Sequence, residues 1–423
     1  KVGIIGSGGR EHAICKSLKK SKKINKIYCF PGNAGTEKIA ENISLDVNNF
    51  EEIKNLVLKK KIDLIIVGPE KPLVDGLVDY LDKFDIKVFG PNKIASKLEG
   101  SKIFTKQICQ KFNIPTAKFG VFTNKEDAKK FLNKSNYPIV IKADNLASGK
   151  GVFICNNESE AYVAIDEIFN GKFGLAKNLL IEEFLKGEEM SFFTINDGKI
   201  FKNFGTAQDH KRVLEGDNGK NTGGMGAYSP SRLINDELEK KIMNKIINPT
   251  LKGLSEMGSE YKGFLYTGLM IVENEPYLIE YNVRMGDPEC QVILPRLNSD
   301  LLKIIINVVE NKLKTTKIEW KRQKCMTIVM CSKGYPGNYK KNKNIKNINK
   351  VKLSKNDFIY HAGTVQKNNR LFSNGGRVLN ITSVGQNFLI IRKKIIKLIR
   401  KINWKAGFYR RDIGWRVIKN ENN

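Results

Sequence analysis

The first 100 residues alternate short apolar runs with longer amphipathic runs, and this alternation constrains the fold more than any other feature. The short runs have the length and branched composition of buried strands, and the longer runs have the spacing of helices that bury one face. The predicted strands span residues 2–5, 24–30, 64–67 and 87–89, and the predicted helices span residues 50–59 and 74–83. Alternating strands and helices form a parallel sheet that binds ligands beyond the carboxyl ends of its strands.

Glycine-rich turns follow three of these predicted strands, at residues 6–12, 31–36 and 67–70. Backbone N–H groups at the start of a helix bind phosphate, so the first turn is a candidate anion site to which Arg10 would add a bidentate donor. A dinucleotide-binding fingerprint would need a glycine where Glu11 stands, so that function is not supported. A tight turn without a ligand is the alternative interpretation.

Residues 277–284 alternate polar and apolar side chains. The polar phase consists of Glu280, Asn282 and Arg284, and the apolar phase of Ile279, Tyr281 and Val283. A period of two predicts a strand with one buried face. Carboxylate and amide oxygens along that strand suit Mg²⁺, which shares its remaining positions with water and substrate phosphates. A half-exposed edge strand with ordinary surface charge is the alternative.

Two lysines have the setting of a phosphate site. Lys142 ends an apolar run at residues 139–141, and Lys150 stands between glycines in the loop that follows. The loop is not a Walker A motif, because no serine or threonine follows Lys150. It would instead fold over a triphosphate, with its N–H groups and Lys150 facing the negative charge. An exposed hairpin tip is the alternative for the loop, whereas Lys142 at the end of a buried strand needs an anionic partner.

Composition excludes several classes of protein. No apolar run in the 423 residues approaches the length needed to span a bilayer. Seven cysteines without a CxxC pair argue against a disulfide framework or a zinc site, so the cytoplasm is the expected compartment. The three histidines show no metal-ligand spacing, and no Ser/His/Asp or Cys/His arrangement indicates a nucleophile.

The net charge of +29 is concentrated in residues 301–423, which contain 29 lysines and arginines against 5 acidic residues. Such asymmetry is typical of proteins that bind nucleic acid or anionic membranes. We favour a compositional drift toward lysine and asparagine, because no nucleic-acid-binding motif accompanies the charge. The basic amphipathic run at residues 389–399 is interpreted similarly, as a helix packed on its own domain rather than on a membrane.

The chain is too long for one ordinary core, so we predict an α/β protein of four units. They are an N-terminal parallel-sheet domain at residues 1–118, a compact α+β unit at 119–190, a second α+β unit at 191–323, and a small C-terminal α+β domain at 324–423.

A set of short motifs extends over nearly the whole chain. The set is GSGGREHA (6–13), PGNAGT (31–36), VGPE (67–70), GSKIFTK (100–106), IVIKAD (139–144), SGKGV (148–152), IEEFLKGEE (181–189), QDHKR (208–212), NTGGMGAYSP (221–230), GDPE (286–289), HAGT (361–364), NGGRVL (374–379) and RRDIGWR (410–416). In this order the motifs resemble those of the phosphoribosylamine–glycine ligases, or glycinamide ribonucleotide synthetases, which are ATP-grasp enzymes of purine synthesis.

The resemblance implies a Rossmann-like pre-ATP-grasp domain, a two-lobed ATP-grasp unit with residues 119–190 as its lid and 191–323 as its body, and the small C-terminal domain. It implies ATP and Mg²⁺ (or Mn²⁺) as cofactors and glycine and 5-phosphoribosylamine as substrates. Glycine carboxylate would attack the γ-phosphate to give glycyl phosphate and ADP, and the phosphoribosylamine nitrogen would then displace phosphate. The family expectation is a monomer without nucleic-acid or membrane partners.

The resemblance also implies roles for individual residues. ATP would contact Lys102, Lys142, Ser148, Gly149, Lys150, Gly151, Glu182, Glu183, Phe184, Leu185 and Glu189. The substrates would contact Gly8, Gly9, Arg10, Glu11, Asn33, Glu70, Asp209, Lys211, Arg284, Asp287 and Glu289. The metal would be held by Glu280 and Asn282. Catalytic roles would fall to Arg284, Asp209 and Lys150, since phosphoryl transfer depends chiefly on positioning and charge stabilisation.

Two alternative functions stay open at the level of sequence. Another ATP-grasp enzyme, such as a carboxylase of purine or biotin chemistry, would share the lysines and the Glu-x-Asn pair, and would release ADP with bicarbonate rather than glycine. A basic nucleic-acid-binding protein would instead show sequence-independent binding that weakens steeply with salt.

Overall fold

The N-terminal part of the chain forms the predicted parallel sheet in the computed structural model, which describes residues 1–144, 151–172, 174 and 178–421. Its strands are β1 (Val2–Gly6), β2 (Ile27–Pro31), β3 (Glu41–Asn42), β4 (Leu64–Val67) and β5 (Val88–Phe89), paired in the order β3-β2-β1-β4-β5. Its helices are α1 (Gly9–Leu18), α2 (Phe50–Lys60), α3 (Glu70–Asp75), α4 (Leu77–Asp82) and α5 (Lys93–Gly100). The prediction of one helix over residues 74–83 is wrong, because Gly76 has a left-handed φ of +96° that separates α3 from α4.

The next part of the chain forms a separate antiparallel sheet. Its helices and strands are α6 (Lys102–Lys111), β6 (Phe119–Phe122), α7 (Lys125–Leu132), β7 (Ile139–Ala143), β8 (Val152–Cys155), α8 (Glu158–Phe169) and β9 (Leu179–Glu183). The strand order is β6-β9-β7-β8, and α7 and α8 pack on this sheet around their own apolar core. The predicted ATP-binding residues Ser148, Gly149 and Lys150 lie outside the described residues.

The largest sheet joins the middle of the chain to its C-terminal part. Its strands and the neighbouring short ones are β10 (Glu188–Asp197), β11 (Phe201–Asp209), β12 (Arg212–Leu214), β13 (Asn218–Asn221), β14 (Gly226–Ser229), β15 (Lys262–Val272), β16 (Glu275–Asn282), β17 (Lys324–Ser332), β18 (Asn344–Ile345), β19 (Asp357–His361), β20 (Thr364–Lys367), β21 (Arg370–Ser373), β22 (Arg377–Gly385) and β23 (Gly407–Phe408). The order is β16-β15-β10-β11-β14-β17-β22-β19, with β23 beside β17. Because β14 pairs with β17, the sheet continues across residue 323, and the four domain boundaries stay predictions.

The remaining helices cover this sheet. They are α9 (Asp236–Ile242), α10 (Asn248–Glu256), α11 (Cys290–Ile293), α12 (Leu301–Val309), α13 (Phe388–Ile399) and α14 (Trp415–Glu421). The basic helix α13 packs through Phe388, Ile391 and Ile395 into the C-terminal core, as predicted for the amphipathic run. Within the described ranges, no helix has the length and apolar content that crossing a membrane requires.

The register of β16 decides which of its side chains are buried. Glu280 pairs with Gly268 of β15, whereas Leu278 pairs with the adjacent Leu269. Ile279 is therefore the extra residue of a β-bulge, which turns Leu278 into the core with 1% of its surface exposed. The prediction that Ile279 belongs to the buried face is wrong for this reason.

The N-terminal and C-terminal parts of the protein meet at two buried histidines. The backbone N–H of His361 donates to Nδ1 of His12 at 2.9 Å, and the ring centroids are 5.6 Å apart. The side chain of Asn33 donates to the carbonyl of His361 at 2.9 Å. Since a ring nitrogen that accepts a hydrogen bond carries no proton, the contact requires a neutral His12.

The three buried histidines are expected to lower the free energy of unfolding as the pH is lowered from 7 to 5, whereas Asp209 and Glu99, whose pKa values burial raises, act in the opposite direction. Burial lowers the pKa of His12, and it lowers the pKa of His361 to about 3 and of His210 to about 4. In the unfolded chain each pKa returns to about 6.5, so the unfolded state binds more protons than the folded state between pH 7 and 5. Each histidine that stays neutral in the folded protein therefore lowers the free energy of unfolding by ~2 kcal/mol at pH 5 relative to pH 7. Urea unfolding of the wild type and of His361→Asn at both pH values isolates the contribution of one histidine, because the opposing carboxyl groups are common to both proteins. A His361→Asn variant with an unchanged pH dependence would contradict the role of that residue.

Candidate functional site

A cavity of about 1060 Å³ lies between the carboxyl ends of β1 and β4 and the strands β7, β9, β11 and β16. The predicted site residues that line it are Gly8, Arg10, Glu11, Glu70, Lys142, Glu182, Glu183, Phe184, Leu185, Glu189, Asp209, Lys211, Glu280, Asn282, Arg284, Asp287 and Glu289. Within the described ranges, four predicted residues do not line it: Gly9, Asn33, Lys102 and Gly151. One cavity thus collects side chains from the parallel sheet, the separate antiparallel sheet and the largest sheet.

A buried group of lysines surrounds a glutamate at one side of the cavity, which Lys142 and Glu182 line. Lys142 Nζ lies 2.7 Å from Oε2 of Glu182, and Lys106 Nζ lies 2.9 Å from its Oε1. Burial opposes ionisation of Glu182, but the two ammonium groups outweigh it and hold its pKa below the ordinary value. Lys102 donates to the carbonyl of Ala143 at 2.9 Å. The anionic partner that Lys142 was predicted to need is therefore Glu182 itself.

Lys106 was missed in the sequence, although it follows Lys102 by four residues on α6 and lies on the same helix face. It is 3% exposed, and burial lowers its pKa. The sequence did contain a signal for it, because Lys106 lies one helical turn beyond Lys102, which was predicted to bind phosphate.

Arg284 is held by two carboxylates at the end of β16. Its Nη2 donates to Oε1 of Glu99 at 2.7 Å, and its Nε lies 3.4 Å from Oε2 of Glu70. The other oxygen of Glu99 accepts the backbone N–H of Val283 at 2.7 Å. Burial raises the pKa of Glu99 to about 7, whereas the guanidinium holds the pKa of Glu70 below its ordinary value. Glu99 was missed, because no local pattern links α5 to a strand far along the chain.

A second group of carboxylates surrounds Lys211. Lys211 Nζ pairs with Oε2 of Glu189 at 2.7 Å. Burial raises the pKa of Asp209 to about 8, opposed by Lys211 and reinforced by Glu289 and Glu189. Among the residues that the structure describes, the Asp209 carboxylate has no hydrogen bond or ion pair, so it is available to a ligand with a proton to give.

Glu280 and Asn282 face the cavity with free oxygens. Neither side chain makes a hydrogen bond or ion pair within the described part of the chain. No group of three His, Cys, Asp or Glu residues there could hold a metal ion. The pair suits a metal such as Mg²⁺ that takes few protein ligands and completes its shell with water and phosphate oxygens.

The glycine-rich turn after β1 is partly occupied by the protein's own carboxylate. The N–H of Gly8 donates to Oε2 of Glu11 at 2.5 Å, and Nε of Arg10 donates to Oε1 at 2.6 Å. A Cβ at Gly68 would lie 2.0 Å from Oε1 of Glu11, so any larger residue at this position would displace that carboxylate. The predicted anion cradle therefore offers the Arg10 guanidinium rather than the Gly8 N–H.

Asn33 and Gly9 support this turn instead of lining the cavity. Asn33 is 6% exposed, and its amide donates to the carbonyl of Ser7 at 2.8 Å while its oxygen accepts the N–H of Gly35 at 2.8 Å. A Cβ at Gly9 would lie 2.5 Å from Asn380 of the C-terminal part. Both residues thus hold the turn against the rest of the protein.

Two cavity-lining arginines come from the C-terminal motifs. Arg377 lies 3.5 Å from Asp287 and donates to the carbonyls of Gly223 and Asp287, and Arg416 pairs with Asp217 at 2.6 Å. The sequence signalled them only through the motifs NGGRVL and RRDIGWR, for which no role was predicted. The C-terminal part therefore supplies cations to the cavity.

Comparison with known proteins finds matches to one enzyme family along nearly the whole chain. The family models that match are the phosphoribosylglycinamide synthetase N domain at residues 1–99, its ATP-grasp (A) domain at 100–290 and its C domain at 325–416. A phosphoribosylamine–glycine ligase of Brucella melitensis is 46% identical over 422 residues, which is 100% of this chain and 99% of that protein. The chloroplastic enzyme of Arabidopsis thaliana is 43% identical and is covered over 79% of its length, with 97% of this chain aligned.

Solved structures agree with the sequence comparisons. The crystal structure of phosphoribosylamine–glycine ligase from Thermotoga maritima matches with a TM-score of 0.85 at 34% identity, covering 97% of this chain and 99% of that one. A biotin carboxylase from Campylobacter jejuni matches with a TM-score of 0.75 at 17% identity, covering 100% of this chain and 97% of that one, which shows a shared fold only. The chain belongs to the phosphoribosylglycinamide synthetase family of ATP-grasp ligases.

Proposed function

We propose that this protein catalyses the ATP-dependent ligation of glycine to 5-phosphoribosylamine, giving glycinamide ribonucleotide, ADP and phosphate. The observation that carries the proposal is that one cavity brings together Lys142, the pair Glu280 and Asn282, and Arg284. These residues match the three charges that the reaction must handle, which are a triphosphate, its metal ion and the carboxylate of an amino acid. The proposed place of the reaction is the cytoplasm, with the protein acting as a monomer.

The triphosphate would lie against Lys142, which lines the cavity, and Lys102, which donates to the carbonyl of the adjacent Ala143, would also approach its phosphates. Lys142 is paired with Glu182 in a buried site, so its ammonium group is oriented before a nucleotide enters. Glu280 and Asn282 would hold Mg²⁺ or Mn²⁺, which supplies charge neutralisation at the phosphate oxygens during transfer. The adenine would lie beside Phe184 and Leu185, which line the cavity next to β9.

Glycine would bind through its carboxylate to Arg284. Glu99 and Glu70 hold the guanidinium in one place, so it is oriented before the substrate arrives. The carboxylate oxygen attacks the γ-phosphate and forms an acyl phosphate, while the phosphoanhydride bond between the β- and γ-phosphates breaks and ADP leaves. The resulting acyl phosphate is prone to hydrolysis, so we expect water to be kept from it until the amine attacks.

The second step requires the amine of 5-phosphoribosylamine to lose a proton as it attacks the acyl carbon. Asp209 is the proposed acceptor, because it lines the cavity and burial raises its pKa to about 8, near the value that a general base needs. Lys211 and Glu289 would contact the substrates beside Asp209. Arg10 and Asp287 would contact the phosphoribosyl group at the turn after β1.

The test is the release of ADP from MgATP with glycine and freshly generated 5-phosphoribosylamine, added separately and together. We expect release that depends on both, with glycinamide ribonucleotide formed in equal amount. Release with bicarbonate in place of glycine would contradict the substrate assignment and favour a carboxylase. Absence of release under all conditions would contradict the proposal as a whole.

A further inference from the structure

The motif RRDIGWR has no part in the reaction proposed above, yet it contacts the segment that follows β11. We call residues 410–416 the C-terminal clamp. Asp217 accepts three hydrogen bonds from it: from Nη1 of Arg410 at 2.9 Å, from Nε1 of Trp415 at 3.0 Å and from Nη2 of Arg416 at 2.6 Å. A carboxylate with three donors, two of them charged, is a strong and directional junction.

Arg410 is fixed within the clamp, because it is 1% exposed and each of its three guanidinium nitrogens donates a hydrogen bond. Besides Asp217, it contacts both carboxylate oxygens of Asp412, at 2.9 and 2.7 Å. Asp412 in turn accepts the backbone N–H of Gly216 at 2.9 Å. Asp217 and its neighbour Gly216 are thus tied to the clamp through separate bonds.

The clamp also fixes both neighbours of Lys211. The backbone N–H of Gly414 donates to Nε2 of His210 at 3.0 Å. Nη1 of Arg410 donates to the carbonyl of Arg212 at 2.9 Å. Lys211 therefore sits between two residues that the same C-terminal segment holds in place.

Lys211 and Asp209 are the groups that this arrangement positions. Lys211 reaches into the cavity and pairs with Glu189 at 2.7 Å, and Asp209 lines the same cavity two residues earlier. A displacement of about 1 Å at such a site costs on the order of 10²-fold in rate. A more mobile backbone on either side of Lys211 would therefore displace Lys211 and Asp209 and lower the rate, although within the described residues no hydrogen bond or ion pair joins the clamp to either side chain.

We propose that the C-terminal clamp, through Asp217, positions Lys211 and Asp209 for the ligation. Asp217 is a positioning residue, since it acts through the backbone of the segment 210–217. The identity of the substrates rests on the function proposed above, but the mechanical link between residues 410–416 and 210–217 does not.

The test compares Asp217→Asn with the wild type under identical conditions. We expect kcat/KM for glycine to fall about tenfold or more, with the thermal midpoint within a few degrees of the wild type. We also expect faster hydrogen–deuterium exchange across residues 210–217. A variant with wild-type kcat/KM would overturn the proposal, and so would a loss of activity that tracks only the unfolded fraction.

A matched control lies in the same interface. Arg411 and Glu215 pair at 2.8 Å but are 69% and 43% exposed, so Glu215→Gln should leave kcat/KM near the wild-type value. Trp415→Phe removes the donor that the partly exposed indole ring offers to Asp217. It should lower kcat/KM by a smaller factor than Asp217→Asn does. This variant tests the clamp should Asp217→Asn fail to fold.

Two outcomes distinguish failure of the positioning role from failure of the proposed function. Equal losses in Glu215→Gln and Asp217→Asn would indicate general weakening of the interface and would overturn the positioning role. If the wild type does not use glycine and 5-phosphoribosylamine, the proposed function fails, while the difference in exchange at residues 210–217 still decides whether the clamp holds that segment.

Discussion

Replacing Arg284 with lysine is expected to lower kcat/KM for glycine by about 10²- to 10³-fold. Lysine keeps the charge but has no planar fork, so it cannot contact Glu99 and Glu70 while presenting two donors to a carboxylate. The fork of Arg284 is used on both sides, at 2.7 Å from Glu99 and 3.4 Å from Glu70. Steady-state kinetics with glycine varied at saturating ATP measures the change.

The effect should appear chiefly in glycine kinetics, with the KM for ATP changed much less. Arg296 offers a control, because it is 8% exposed and donates to Ser229 and Gln323 away from the cavity. Arg296→Lys should alter stability but not kcat/KM of the folded protein. An Arg284→Lys enzyme with wild-type glycine kinetics would refute the carboxylate-binding role.

Changing Glu280 to glutamine is expected to reduce turnover by about 10²-fold and to raise the Mg²⁺ concentration needed for half-maximal rate. The amide preserves the size of the side chain but removes the negative charge that a hard cation prefers. Glu280 has no hydrogen-bond or ion-pair partner within the described residues, so the substitution breaks no protein contact there. A metal titration of the rate, and of Mn²⁺ binding by electron paramagnetic resonance with an ATP analogue, measures both effects.

The same strand carries the control. Glu275 lies at the other end of β16 and pairs with Lys241 and Lys245 at the surface, at 2.8 and 2.7 Å. Glu275→Gln should leave the metal dependence unchanged. An unaltered Mg²⁺ requirement in Glu280→Gln would remove Glu280 from the proposed metal site.

The parts of the site that could be predicted are those with a local pattern. The alternation around Glu280 and the lysine at the end of the 139–141 run follow from strand periodicity and the cost of burying a charge. The same reasoning failed at Ile279, because a β-bulge depends on the register of the partner strand, which a single segment does not contain.

The unpredicted parts depend on contacts between distant segments. Glu99 meets Arg284 across 185 positions of the chain, and Asn33 meets His361 across 328. The predicted contact of Asn33 with substrate came from the family resemblance alone, not from a pattern in its own segment. The structure instead shows its amide engaged with the backbone, a distinction that requires the position of the C-terminal part.

The pairing of β14 with β17 has a consequence for synthesis on the ribosome. Until residues 324–332 have emerged, the body of the protein ends at β14 with one row of backbone N–H and C=O groups uncovered. An uncovered edge of this kind pairs readily with another chain. The nascent protein therefore carries this uncovered edge from the emergence of residue 229 until that of residue 332. Nonsense mutations after the ATP-grasp region should yield insoluble fragments rather than a shortened enzyme.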